Sequence, residues 1–187
     1  MSAYGQRVTK STSFKGFLIR DWQERDRAAA ANVIRSVLAE YGLGWEVDCG
    51  QCTDRDAVEV EKYYWATGGE FWVVESQGQI VGTGGYYPIA RGEKAAEIRK
   101  MYLLPEARGQ QLGRFLLSQL EAAAVEKGFE EVWIETASVL KQAVALYEQN
   151  GYVAANGVET DRCDRVYHKA VSTSFQTTDK SRLWPVE

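Results

Sequence analysis

The sequence has little of what would identify several common classes of protein. Its 187 residues include one histidine and three cysteines, and the net charge is −4. No apolar run is long enough for a membrane span, so we expect no membrane partner. Lys and Arg form no basic stripe, so we expect no nucleic-acid partner. The polar N-terminus has no hydrophobic signal core, which favours a cytoplasmic location.

The three cysteines are the next scarce feature. Two of them form the motif Cys49-Gly50-Gln51-Cys52, which is typical of a redox pair or of half a zinc site. A structural zinc site needs four ligands, and the chain adds only Cys163 and His168. The motif also lies in a Gly/Asp-rich segment with loop character rather than at the start of a helix. We therefore expect free thiols and no metal, with a redox protein as a remote alternative, and we expect His168 to be an ordinary strand residue.

The pattern of apolar residues predicts a single α/β domain. Hydrophobic residues make up 45% of the chain and charged residues 26%, as in ordinary globular domains. We expect a mixed sheet of about six or seven strands with about four helices on its two faces. The domain should span residues 16–171, with flexible tails at 1–15 and 172–187. Predicted helices are 25–41, 53–66, 111–127 and 139–150, and predicted strands are 16–20, 70–76, 79–88, 95–104, 131–136, 152–155 and 165–171.

The most informative segment is Arg108-Gly109-Gln110-Gln111-Leu112-Gly113, between a predicted strand and a predicted helix. A glycine-bearing turn at this place aims several backbone N–H groups at one point, and the helix macrodipole adds to their field. Arg108 and Arg114 could add charge-assisted bonds to a pyrophosphate. The spacing fits neither the dinucleotide fingerprint nor the Walker pattern. On these physical grounds a phosphate site and a plain scaffold turn both stay open.

The segment resembles the acetyl-CoA pyrophosphate loop of the GNAT acetyltransferase superfamily, Arg/Gln-x-x-Gly-x-Gly/Ala. Gln111 stands where the family usually has its middle glycine, and we expect it to present its N–H from a helical conformation. Two further segments support the resemblance. Residues 143–152 look like the family's helix with Leu-Tyr, closed by Gly and an aromatic, and residues 80–85 resemble the strand before the cofactor strand.

The resemblance covers about residues 17–170. It implies the GNAT fold, acetyl-CoA as co-substrate, and direct transfer of the acetyl group to a primary amine in a ternary complex. It also implies that backbone groups of the cofactor strand meet the pantetheine amides and the oxyanion, and that the turn holds the pyrophosphate. The implied cofactor-binding residues are Met101, Tyr102, Leu103, Arg108, Gly109, Gln110, Gln111, Leu112, Gly113 and Arg114.

Amine acetylation calls for a base, because an alkyl amine with a pKa of about 10 is mostly protonated at neutral pH. Glu97 is the first candidate, since several relatives keep a glutamate base four residues before the position of Met101. Strict alternation would put Glu97, Arg99, Met101 and Leu103 on one face of the strand. An Arg-paired strand carboxylate is the alternative interpretation. Glu135 is the second candidate base, with a carboxylate that stabilises the next helix as its alternative.

Tyr147 matches the tyrosine that family members place near the CoA sulfur as general acid. Its helical spacing with Leu140, Ala143 and Val144 fits a core aromatic equally well. Leu140 is a second departure from the family, because many relatives have a cofactor-contacting asparagine there. That contact must be lost or supplied elsewhere.

The acceptor is less well defined. Residues 41–61 hold six carboxylates with only Arg55 as counter-charge, and Tyr63, Tyr64 and Trp65 follow. Such a segment favours a small cationic amine or an amino-acid-like compound, although a solvated acidic helix face is as compatible. A protein or peptide acceptor, a non-catalytic acetyl-CoA-binding module and a homodimer all stay open.

Overall fold

The computed structural model describes residues 10–47 and 53–171. Eight strands lie in these ranges: β1 Ser11–Phe14, β2 Phe17–Asp21, β3 Glu70–Ser76, β4 Gln79–Pro88, β5 Ala95–Leu103, β6 Glu131–Thr136, β7 Val153–Ala155 and β8 Arg165–Ala170. The helices are α1 Arg27–Glu40, α2 Arg55–Val58, α3 Leu112–Glu126 and α4 Lys141–Gln149, with 3₁₀ turns at Glu24–Asp26 and Pro105–Ala107 and a π-helical turn at Glu61–Trp65. Over the same ranges, no helix is both long and apolar enough to cross a membrane.

The strands form one mixed sheet in the order β1-β2-β3-β4-β5-β6-β8-β7. All neighbouring pairs are antiparallel except β5 and β6, which are parallel. This confirms the mixed α/β architecture, with one or two more strands than expected. The bounds of β3, β4 and β6 are those predicted from sequence, because turn residues bound each of these apolar runs.

The additional strand comes from residues that were expected to belong to a flexible N-terminal tail. Residues 11–14 pair with β2 instead, and the ring of Phe14 stacks on Phe115 of α3 at 4.3 Å between centroids. The backbone N–H of Lys10 also donates to the Asp21 carboxylate at 2.9 Å. The sequence of this strand did not predict it, because residues 11–13 are Ser and Thr and its anchoring apolar contact comes from a single phenylalanine. The proposed C-terminal tail lies outside the described residues.

Helices pack on both faces of the sheet, as expected. Leu116 and Leu120 of α3 join Ile98 of β5 in one buried cluster. Ile34 of α1 joins Phe71 of β3 in the cluster on the other face. Burial of these apolar side chains on both sides of the sheet is the main stabilising contribution to such a fold.

The predicted second helix, 53–66, is wrong in its extent. Only Arg55–Val58 is α-helical, and the chain then takes the π-helical turn. Asp54 makes no capping bond, because its carboxylate points into the protein. Tyr64, fully buried, donates its hydroxyl to Asp56 at 3.1 Å. Tertiary contacts of these side chains therefore override the local helical pattern.

Candidate active site

The candidate site lies where the sheet opens between β5 and β6. The two strands pair only over Ala95–Glu97 and Glu131–Trp133. Beyond that point β5 stays with β4 and β6 stays with β8. An opened parallel pair leaves backbone N–H and C=O groups on the facing edges free for a ligand. The opening holds a cavity of about 580 Å³, a volume within the usual range for small-molecule sites.

The turn before α3 forms one end of this cavity. Gly109 has a φ of 74° and Gln111 a φ of 65°, so both occupy the left-handed region. The prediction that Gln111 is in an ordinary helical conformation is wrong. For a residue other than glycine this conformation costs roughly 1–2 kcal/mol, which explains why a glycine is usual at this place in the family pattern.

The first turn of α3 is open to an anion. Gln111 precedes the helix without a side-chain capping bond, so the N–H groups of Leu112, Gly113 and Arg114 have no intrahelical acceptor. A Cβ at Gly113 would meet its nearest neighbours, the side chains of Leu146 and Leu103, at 3.6 Å and 3.7 Å, which agrees with Gly or Ala in the pattern. These donors and the positive end of the helix dipole fit a pyrophosphate.

The two arginines beside the turn differ in their contacts. Arg108 donates through Nη1 and Nη2 to the Glu40 carboxylate at 2.7 Å and 2.8 Å, and through Nε to the Leu103 carbonyl at 2.7 Å. It thereby ties the turn to the end of α1. Among residues 10–47 and 53–171, the Arg114 guanidinium has one contact, a long one of 3.5 Å to Gln149, and it lines the cavity. Arg114 is therefore the freer cation.

A β-bulge interrupts β5 at Lys100. The register with β4 shifts at residues 83–85, and Lys100 takes a φ of 52°. A bulge places two residues opposite one and reverses the alternation of side chains beyond it. Lys100 is held in this conformation by a bond from Nζ to the Thr53 carbonyl at 2.7 Å and by the Asp54 carboxylate at 3.0 Å.

The bulge corrects the expected face of β5. Met101 and Leu103 pack with the cluster under α3, whereas Tyr102 packs with the cluster under α1. Glu97 and Arg99 face α2 and the 160–163 loop. The prediction that they share a face with Met101 and Leu103 is wrong, because it assumed unbroken alternation. The three residues after the bulge do line the cavity.

Glu97 is buried, with 11% of its side chain exposed. Burial raises the pKa of its carboxyl, while Arg99 opposes the shift and Glu135 adds to it. The contact from Arg99 Nη1 to Glu97 Oε2 is 3.4 Å, which is long for a charge-assisted bond. The geometry is therefore compatible with both interpretations of Glu97. Its carboxylate lies near an arginine, as the structural interpretation expects, and it can still accept a proton, as a base must.

Glu135 is already committed to other contacts. Its oxygens accept the backbone N–H groups of Glu159 and Thr160 at 2.8 Å and 2.9 Å, and Arg91 Nη2 at 2.6 Å. It anchors the loop between β7 and β8, and α4 begins only at Lys141. The contacts of Glu135 therefore do not support its alternative role, in which the carboxylate would stabilise the N-terminus of α4.

Tyr147 is 4% exposed and lines the cavity. Its ring packs against Tyr152 and Tyr167 at 5.8 Å and 6.3 Å between centroids. Burial raises the pKa of its hydroxyl, which keeps the group protonated. Tyr147 is thus both a core aromatic and a wall of the cavity. Leu140 lines the cavity as well, without the amide that many relatives have there.

A buried ion cluster, which the sequence analysis missed, lies beside Glu97. Asp54 has no exposed surface and accepts bonds from Arg162 Nη2 and Nη1 at 2.5 Å and 2.6 Å and from Lys100 Nζ at 3.0 Å. Burial opposes its ionisation, but Arg162 and Lys100 together lower the pKa of Asp54 to about 2. These partners are 46 and 108 residues away in sequence, so no local pattern indicates them.

The same contacts account for much of the acidic segment at residues 41–61. The ion pairs are Asp54 with Lys100 and Arg162, Asp56 with Lys100 and Arg99, Glu59 with Lys62, and Glu61 with Arg27. Asp48 lies outside the described residues. Because the charge of the paired carboxylates is compensated within the protein, the sequence argument for a cationic acceptor loses its basis.

A small recess opens beside the main cavity and shares part of its wall. We call it the side recess, and its wall includes Glu97, Arg99, Tyr102, Arg162 and Cys163. Its volume is about 40 Å³. Cys163 is a free thiol, and burial raises its pKa to about 11, which disfavours the reactive thiolate.

His168, Cys49 and Cys52 are the remaining residues that the sequence drew attention to. His168 is a residue of β8, as expected, and its Nδ1 lies 2.8 Å from a Glu131 carboxylate oxygen. Cys49 and Cys52 are outside the described residues.

An open β5–β6 pair beside an uncapped helix start is typical of one class of cofactor-binding α/β domain. Comparison with known proteins identifies the family. The model of the acetyltransferase (GNAT) family matches residues 35–152. YjgM, an uncharacterized N-acetyltransferase of Escherichia coli strain K12, is 41% identical over 130 residues, which are 68% of this chain and 77% of that protein. The chain belongs to the GNAT family of acetyltransferases.

Solved structures agree in fold. A GNAT-family acetyltransferase of Staphylococcus aureus Mu50 has a TM-score of 0.73 at 19% identity and covers 82% of this chain and 98% of its own. The Salmonella typhimurium acetyltransferase yncA, determined with its cofactor acetyl-CoA, has a TM-score of 0.66 at 20% identity and covers 85% and 96%. At these identities the likeness is one of fold.

Proposed function

We propose that this protein transfers the acetyl group of acetyl-CoA to a primary amine by direct attack in a ternary complex. The observation that carries the proposal is the single cavity that joins the open edge of β5 to the uncapped start of α3. One end offers backbone donors to a thioester and the other offers an anion site. Family membership and the relative determined with acetyl-CoA support the same co-substrate.

The turn and the first residues of α3 would hold the pyrophosphate. Gly109, Gln110 and Gln111 shape the turn, and the helix N–H groups from Leu112 to Arg114 point at the anion. The Arg114 side chain adds a positive charge. Arg108 acts mainly as a positioning residue, because its guanidinium is bonded to Glu40.

The end of β5 would bind the rest of the co-substrate. Past Glu97, no strand in the described part of the chain pairs with the edge of β5 that faces β6, so backbone groups at Met101, Tyr102 and Leu103 can bond the pantetheine amides. A backbone N–H on this edge also stabilises the oxyanion as the amine attacks, in a setting shielded from water.

Glu97 is the proposed base. A carboxylate with a raised pKa accepts a proton more readily, and burial supplies that shift. Glu97 takes the proton of the amine, either directly or through a water, and the neutral amine then forms the new C–N bond. Glu135 is the weaker candidate because its oxygens already accept three donors.

Tyr147 is the proposed acid. Its raised pKa keeps the hydroxyl protonated until a strong base forms nearby. The departing thiolate of CoA is such a base, and proton transfer from the Tyr147 hydroxyl releases CoA as a thiol.

Thiol release from acetyl-CoA, measured against small amines, amino acids and peptides, tests the proposal. We expect release that depends on the amine and that falls strongly in Glu97→Gln. Glu130→Gln is the matched control, because the Glu130 side chain is 67% exposed and pairs with Lys94. Binding of acetyl-CoA without thiol release for any acceptor would indicate a non-catalytic binding module. Release with peptides alone would indicate a protein acetyltransferase.

A further inference from the structure

Two arginines in the side recess are held with donors to spare. Arg162 bonds Asp54 through both Nη atoms and the Gly44 carbonyl through Nη1 at 3.1 Å. Its Nε–H and the second Nη2 hydrogen therefore have no acceptor among the described residues. The guanidinium of Arg99 lies over the Tyr87 ring, 5.5 Å from its centroid, and its two carboxylate contacts are long, 3.3 Å from Nε to Asp56 and 3.4 Å from Nη1 to Glu97. Charge-assisted N–H···O bonds are normally about 2.7–2.9 Å, so Arg99 can bind a closer anion.

Lys100 and Glu135, which also line the recess, are already bonded within the protein. The ammonium of Lys100 contacts the Thr53 carbonyl, Asp54 and Asp56. Glu135 already accepts bonds from Arg91 and two backbone N–H groups, and as an anion it does not attract a second one. Neither group is left to recognise a ligand.

The charges of the recess favour an incoming anion. Apart from Glu135, which is paired with Arg91, three cations, Arg99, Lys100 and Arg162, face two paired carboxylates, Asp54 and Asp56. Glu97 supplies the third negative charge only while it is ionised. Once Glu97 has accepted a proton, one buried positive charge has no counter-ion, and an uncompensated buried charge is costly. An acceptor that brings its own negative charge removes that cost.

The size of the recess fits one small planar anion. Its volume of about 40 Å³ has room for about three water-sized positions, which is the size of a carboxylate. The guanidinium fork is also the side chain that best matches a carboxylate in geometry.

We propose that the acceptor is an amine that carries a carboxylate close to the amino group, as an α-amino acid does. Arg162 and Arg99 bind the carboxylate in the side recess, and the amino group lies toward Glu97. This inference rests on the proposed acetyltransferase function and specifies the chemical class of its acceptor.

Matched triplets of acceptors test it: leucine, leucinamide and 3-methylbutylamine, with the corresponding sets from phenylalanine and methionine. Rates are corrected for the fraction of free amine, since the three members differ in amine pKa. We expect kcat/KM for the amino acid to exceed that for the amide and the plain amine by about 10- to 100-fold.

Arg162→Lys keeps the charge beside Asp54 but removes the fork. It should raise KM for the amino acid about 10-fold or more, with little change for the amide. Lys62→Gln is the control, because Lys62 lies on the surface with Glu59 and should leave all ratios unchanged. If Arg162→Lys does not fold, the triplets measured with the parent protein decide the question.

The two proposals fail in distinguishable ways. Equal or better rates with amides or plain amines, or acetylation of peptide amines alone, would overturn the inference and leave the acetyltransferase function standing. A preference for amino acids that survives unchanged in a folded Arg162→Lys would also overturn it. Absence of thiol release with every amine would defeat the proposed function and this inference with it.

Discussion

Replacing Asp54 by asparagine should destabilise the protein more than any other single exchange of a carboxylate for an amide in the acidic segment. The side chain is fully buried and bonded to Arg162 and Lys100. Asparagine keeps the shape but leaves Arg162 without a carboxylate and Lys100 with Asp56 alone, and breaking such a buried pair typically costs about 3–5 kcal/mol. The pKa of Asp54, about 2 against an ordinary 3.8, independently corresponds to roughly 2–3 kcal/mol at neutral pH. We expect a loss of about 3 kcal/mol.

The loss should depend on pH with a definite sign. A carboxyl group whose pKa is lower in the folded state stabilises the fold above its unfolded pKa, and this contribution disappears as the pH falls through the folded pKa. For Asp54 the contribution is complete well above pH 3.8 and is lost toward pH 2. The difference in unfolding free energy between parent and Asp54→Asn should therefore shrink on acidification through that window.

Urea denaturation at neutral pH and at several acidic pH values measures both effects. Glu59→Gln is the matched control: the Glu59 side chain is 40% exposed and pairs with Lys62, so its exchange should change stability by no more than about 0.5 kcal/mol. An Asp54→Asn variant as stable as Glu59→Gln, or a loss that grows as the pH falls, would refute the reasoning.

Three further predictions concern the proposed chemistry. Glu97→Gln should lower kcat/KM by about 10²- to 10⁴-fold. In the parent, kcat/KM should rise with pH at values above the ordinary glutamate pKa, because burial raises the pKa of Glu97. The variant should not show this rise. A variant within twofold of the parent would remove Glu97 as the base. Tyr147→Phe should lower turnover about 10- to 10³-fold with thermal stability and acetyl-CoA binding little altered, whereas unchanged turnover with chemistry rate-limiting would leave Tyr147 a core aromatic only. Arg108→Gln and Glu40→Gln should both reduce the rise in melting temperature that acetyl-CoA produces, because the pair ties the turn to α1; a loss confined to Arg108→Gln would instead indicate direct contact with phosphate.

The local structure on the proposed cofactor side of the site could be predicted from sequence, because consecutive residues build it. The β3–β4 hairpin, β6 and the helix after the turn follow from local periodicity and turn residues. An anion site at a strand–turn–helix junction needs only the backbone and a helix dipole. Family resemblance then adds the identity of the ligand.

The proposed acceptor side could not be predicted in the same way, because long-range contacts build it. Asp54 lies at the start of the predicted helix 53–66, yet its carboxylate points inward to Lys100 and Arg162, which are 46 and 108 residues away in sequence. Periodicity has no information about such pairs, since each charged residue alone is typical of a solvated surface. The short strand at residues 11–14 was missed for a related reason: its anchor is a ring contact with α3.

Two backbone conformations of the site depend on local sequence and on long-range contacts together. Lys100 and Gln111 have φ values of 52° and 65°, which residues other than glycine adopt only when surrounding contacts outweigh the strain. For Lys100 those contacts are the bonds of its ammonium to Thr53 and Asp54. The bulge that turns Tyr102 toward the side recess therefore depends on the same carboxylate that holds Arg162. Loss of Asp54 should disturb β5 and the side recess together, so its effect on acceptor selectivity should exceed its effect on acetyl-CoA binding at the distant start of α3.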